Sequence, residues 1–176
     1  MASVAKAPLM TVFFVTTRRY EFPPIIVSSD AQFEVSEAGG GVLYFDPCDG
    51  ARNAYWCHIT EEQLDEWGFS RDALSEGRNP IQCCEAAMVP WGLLEFGATN
   101  LHRRKVVWFV DNTSALFAAI RGSSRNVIVS RAMAAATFLC FHFNCNIWYE
   151  FVDNESNWAN GLNRKGAADD FVSRKI

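Results

Sequence analysis

The stretch Val106-Val107-Trp108-Phe109-Val110-Asp111-Asn112 decides how this chain folds. Consecutive apolar residues, mostly β-branched or aromatic, end abruptly on a carboxylate and an amide. A half-exposed strand alternates apolar with polar residues, whereas an unbroken run expects cover on both faces, as in a parallel sheet. A parallel neighbour cannot be reached through a hairpin, so crossover helices are needed on either side.

The flanks supply them. Upstream, Asn79-Pro80 pairs a cap residue with proline at the first helical position, predicting a helix to about Phe96 with a kink at Pro90. Downstream, residues 113–120 and 126–143 carry helical patterns, and residues 147–152 form a further aromatic and β-branched strand. A weaker closing helix is read over 157–172. Nearer the N-terminus, Thr60 and Gln63 have the spacing of a capping box, placing a short helix at 61–67. Before it come three short strands: the run from Ile25 that Asp30 closes, residues 42–45, and residues 54–59. Gly39-Gly40-Gly41 lacks the Gly-Lys-Ser/Thr ending of a phosphate loop and is read as a turn. The order predicts an α/β domain with a five-stranded mixed sheet, three antiparallel strands then parallel ones, and helices on both faces. Residues 1–24 read as an N-terminal extension and 25–172 as the domain.

Hydrophobic residues make up 49% of the chain and charged residues 20%, the balance of a globular domain with one substantial core. No apolar run approaches the roughly 20 residues of a membrane span, and residues 1–8 lack a secretory signal's apolar core. An intracellular protein, cytoplasmic or nuclear and with no membrane partner, is expected. The six cysteines form no Cys-x-x-Cys pair and read as buried reduced thiols. A net charge of −4 argues against tight, unaided nucleic-acid binding. The basic groups (Arg18-Arg19, His102 to Lys105, Arg121, Arg125, Arg131, Arg164-Lys165) are local and read as solvated surface.

Three carboxylates sit where a structural residue is uncomfortable. Asp30 and Asp111 each follow an apolar strand, and Glu85 has Ile81, Met88 and Val89 on its own helix face. Taken singly, each aspartate also fits a turn former or helix cap, and Glu85 a partly exposed helical glutamate. Taken together, acids from the first strand, the long helix and the fourth strand can converge at one sheet edge. Like charges held that close need a cation, and oxygen-only ligation suits Mg²⁺ or Mn²⁺.

Four blocks in this order resemble the ribonuclease H domain of retroelement polyproteins, where it accompanies a reverse transcriptase. They are Ser29-Asp30-Ala31 with Gly40-Gly41-Val42-Leu43, Ile81-Gln82-x-x-Glu85, Val110-Asp111-Asn112-x-x-Ala115-Leu116, and Ser156-Asn157-Trp158-Ala159-Asn160-Gly161-Leu162-Asn163-Arg164. The resemblance spans about residues 25–164. It implies a metal-dependent endonuclease that cuts the RNA strand of an RNA–DNA hybrid. Two ions would be bound: Asp30, Glu85 and Asp111 hold one, and Asp30 with position 160 holds the other. The family's closing pattern is Asn-x-Ala-Asp-x-x-Ser-Arg, so Asn160 stands in place of the fourth acid and Asn163 in place of serine. Asn160 offers a carbonyl oxygen but no charge, so weak binding of the second ion and low or no activity are expected. Asp153 and Glu155 are candidates to compensate. Some members carry a histidine in the preceding loop, which here has none. Glu85, Gln32 and Asn112 are candidate readers of the 2′-hydroxyl, Gln32 and Asn112 being otherwise ordinary turn and cap residues. Trp158 is a candidate wall of the site. Two rivals stand beside this reading. One is a non-catalytic scaffold that binds RNA or protein, and the other a DNA nuclease of the integrase or resolvase class.

Overall fold

The computed structural model describes residues 22–34, 37–70, 72, 74 and 79–165. Five strands, β1 (Ile25–Glu34), β2 (Glu37–Phe45), β3 (Arg52–Ile59), β4 (Lys105–Val110) and β5 (Asn146–Phe151), form one sheet in the order β3-β2-β1-β4-β5. The β1–β2 and β2–β3 pairs are antiparallel, while β1–β4 and β4–β5 are parallel. The helices are α1 (Glu61–Glu66), α2 (Ile81–Leu101), α3 (Thr113–Arg121), α4 (Val127–Phe143) and α5 (Asn160–Lys165). No helix among the described residues is long and apolar enough to cross a membrane. Of the predicted extension, residues 1–21 lie outside the described residues, as do Arg18-Arg19 and the closing helix beyond residue 165.

Local signals set the helix ends. Thr60 and Gln63 form the reciprocal capping box. The Asn79 side chain accepts from the Ile81 N–H at 2.9 Å, and Asn112 and Asn126 cap α3 and α4 in the same way. The long helix departs from expectation. Its backbone stays helical through Pro90 and breaks instead at Gly97 (φ 65°), whose missing Cβ permits that conformation.

α2 lies across β1 and β2, with α4 packed against it, and α3 beside β5. Trp108, Tyr44, Val42 and Leu93 are buried beneath this layer. Side chains alternate across a strand, so Leu43 faces the other way and packs with Ala159 and Leu162 under α5. Helices thus cover both faces, but unequally. Along β4 only Val106, Trp108 and Val110 are fully buried, and Val107 and Phe109 are half-covered. The unbroken apolar run overstated the burial of that second face.

Gly39-Gly40-Gly41 is not a turn. It lies inside β2, paired to β1 on one side and β3 on the other. The glycines are there for space: a Cβ on Gly40 would stand 2.1 Å from Met88 Sδ, and one on Gly39 2.8 Å from the Cys57 carbonyl oxygen. Gly40→Ala should therefore cost about 1–3 kcal/mol in urea unfolding by overpacking. In a Met88→Ala background the same substitution should cost far less; equal costs in both backgrounds would refute the contact.

The thiols are only partly as expected. Cys83, Cys84 and Cys145 are buried, but Cys48 is exposed, and all six cysteines are free.

Candidate metal centre

Parallel register brings the aspartates together. The last pair between β1 and β4 is Ser29 with Val110, so Asp30 and Asp111 are each the next residue along two adjacent strands running the same way. Beyond that pair the strands diverge in fate. β4 ends, and Asn112 turns the chain into α3. β1 continues to Glu34, with Asp30 opposite Gly41 of β2. Asp30 therefore does not close its strand; it marks where β1 outruns β4. There the Ala31 N–H donates to Glu85 Oε1 at 3.2 Å, which ties α2 to this point.

The result is a three-carboxylate cluster. One oxygen from each of Asp30, Glu85 and Asp111 lies within 4.8 Å of the others. Asp30 and Glu85 are buried, Glu85 with only 3% exposure. Burial, then the neighbouring Asp30 and Asp111 charges, push the Glu85 carboxyl up to about 9. Two buried oxygens, Glu85 Oε2 and Asp111 Oδ1, have no hydrogen-bond partner. Buried carboxylate oxygens are seldom left so, and a hard divalent cation would satisfy both while cancelling the repulsion. The donor set fits Mg²⁺ or Mn²⁺.

A pH dependence follows for the metal-free protein. Glu85 titrates higher in the folded chain than its ordinary 4.5, so its contribution is fully present below pH 4.5. It is lost as pH rises through about 9. Thermal melts in a chelator should fall across that window, and Glu85→Gln should flatten the fall. An unchanged slope in the variant would contradict the assignment.

The cluster opens into a cleft of about 580 Å³, walled also by Gln32, Glu34, Asn112, Asn154 and Asn160. Asn160 lines the same cleft as the three acids. Asn112 is both cap and wall: its oxygen accepts from the Ser114 and Ala115 N–H groups, leaving its NH₂ for other partners. Asp153 and Glu155 stand away from the cleft. Asp153 caps its own turn through the Ser156 N–H, and neither residue walls the cleft. Trp158 is half-exposed and stands outside that wall.

Sequence reasoning missed Asn154, which lies in a turn with no periodic signal, and Glu34, hidden by ending β1 too early. It also missed that Asn157 is a buried bridge. Its side chain accepts from Ser28 Oγ and donates to the Ser29 carbonyl, so the segment before α5 is fixed to β1 beside Asp30.

No family model and no curated protein matches the sequence. Solved structures do match the fold. An N-terminal RNase H domain from Mycobacterium tuberculosis, solved as a fusion with maltose-binding protein, is 16% identical with a TM-score of 0.56. The match covers 85% of this chain and 95% of that one. RNase H1 from the halophilic archaeon Halobacterium salinarum is 12% identical with a TM-score of 0.61, covering 83% and 97%. The fold is RNase H-like.

Proposed function

We propose that this domain is an RNase H-type endonuclease of retroelement origin. It would act on the RNA strand of an RNA–DNA hybrid and accompany a reverse transcriptase. Asn160 in the fourth ligand position would impair it. The observation that carries this reading is the pair of unpartnered buried oxygens on Glu85 and Asp111, inside a three-acid cluster built from three separate elements. A purely structural role would leave those two oxygens hydrogen-bonded or salt-bridged.

Asp30, Glu85 and Asp111 would hold one Mg²⁺ or Mn²⁺ ion, and Asp30 with the uncharged Asn160 would bind a second too weakly to fill that place alongside the first. Bound there, divalent ions supply an activated water and neutralise charge on the phosphate and on the leaving oxygen. The chain's own contributions are distinct. Glu85 is fixed by the Ala31 N–H and gives up its raised proton affinity when a cation enters. Asn112 and Gln32 present amide donors to the bound strand at the cleft wall. No Lys, Arg or His walls the cleft among the described residues, so strand affinity must come largely from the metal and from amides.

The test is cleavage of a hybrid labelled on each strand, by the chain and by Asn160→Asp, in Mg²⁺ and in Mn²⁺. RNA-strand cleavage that is weak or absent in the chain and at least tenfold greater in Asn160→Asp is expected. No cleavage by either folded protein would favour a non-catalytic scaffold, the rival that the amide at position 160 supports. Cleavage of duplex DNA instead would favour the integrase or resolvase class.

A further inference from the structure

The amide at position 160 is itself bonded. Asn160 Nδ2 donates to the Asn154 carbonyl oxygen at 3.1 Å, and both residues wall the metal cleft. The turn between them is closed at its base, where the Ser156 N–H donates to the Asp153 carbonyl and side chain. Behind it, the Asn160 N–H donates to the Asn157 carbonyl, and the Asn157 side chain is held on Ser28 and Ser29 of β1. A continuous ladder therefore runs from the strand that carries Asp30, through Asn157 and Asn160, to the turn at the rim of the cleft. Its last rung needs a donor at position 160. A carboxylate at position 160 has no N–H to donate, and its oxygen would face the Asn154 carbonyl, acceptor against acceptor.

We infer that Asn160 is a latch that holds the 153–156 turn at the cleft rim, and that an acid at position 160 would exchange this latch for a second cation: this chain takes one divalent ion where Asn160→Asp takes two and frees the turn. The one-ion part rests on the proposed metal site; the latch part does not. Latched or not, Asn160 offers a hard cation only its neutral Oδ1, whereas an acid would bring charge but no donor for the Asn154 carbonyl. The latch thus holds Asn154 at the same rim.

The test uses the full chain with Asn160→Asp and Asn160→Ala, and two readouts. Calorimetric titration with Mn²⁺ alone counts ions, and amide hydrogen exchange of residues 153–156 in chelator reports the turn. We expect one Mn²⁺ in the unmodified chain, two in Asn160→Asp and one in Asn160→Ala. Turn exchange should rise about tenfold in both variants, the scale of one lost hydrogen bond, with β-strand exchange unchanged as the control for folding. Two ions in the unmodified chain would overturn the alternation. Unchanged turn exchange in both variants would overturn the latch. No Mn²⁺ uptake by the unmodified chain would instead overturn the metal site beneath the proposal, with the exchange result still deciding the latch.

Discussion

Asp111→Asn is expected to raise the melting temperature of the metal-free protein and to abolish its response to Mn²⁺. The two halves have one cause. Asp111 is one of three acids whose oxygens lie within 4.8 Å of one another, and its Oδ1 is buried with no hydrogen-bond partner. Without a cation it repels its neighbours and helps push the Glu85 carboxyl up to about 9. An isosteric amide removes that charge at almost no cost in volume. With Mn²⁺ at a hundred times its dissociation constant, the unmodified chain should gain about 2.7 kcal/mol. For a chain of this length that is roughly 5–10 °C. The variant should gain nothing, because a lost charge and a weaker oxygen remove most of the binding energy. Should Asp111→Asn melt lower in chelator and still rise with Mn²⁺, the cluster would not be a cation site.

Arg104→Met should cost about 3 kcal/mol of stability with no effect on metal binding. Arg104 makes a bidentate pair with Asp46 at 2.6 and 2.8 Å, and their side chains are only 16% and 7% exposed. Asp46 also accepts from the Cys48 N–H and the Tyr44 hydroxyl. Removing the cation strands a buried carboxylate, the costly way to break such a pair; the part-exposed guanidinium sets the low end of that range. The pH arm follows from the same contact. The Arg104 hydrogen bonds hold the Asp46 carboxyl down at about 2 against its ordinary 3.8. This stabilisation is therefore present above pH 3.8 and lost as pH falls through about 2. In the variant the acid limb should move upward. A loss below 1 kcal/mol in urea unfolding would show the pair to be surface ornament.

Arg104 also shows where sequence reading stops. In the run His102 to Lys105 it looked like solvated surface, because no local pattern separates a buried arginine from an exposed one. Its partner lies 58 residues away. Gly39-Gly40-Gly41 failed for a related reason. Glycine triplets usually break structure, and the Met88 side chain that makes Gly40 necessary comes from α2. The end of β1 was set too early because a charged residue normally stops an apolar strand. Here Asp30 stays in the strand because β2 still pairs with it after β4 has ended. Asn154 left no trace at all, since a turn residue acquires its role only from what the turn folds against.

Sequence by itself determined the element order, the helix caps, the mixed sheet and the three acids to watch. All of these depend on contacts between near neighbours or on the period of apolar residues, which a linear string records. Only the tertiary structure decided that those acids meet. The parallel register of β1 and β4, one residue short of both aspartates, sets two carboxylates side by side, and α2 brings Glu85 to them from across the sheet. The same is true of the amide at position 160, which the family resemblance reads as standing in for an acid. Its bond to the Asn154 carbonyl makes it a working part of the cleft wall, because a hydrogen bond depends on where two groups come to rest.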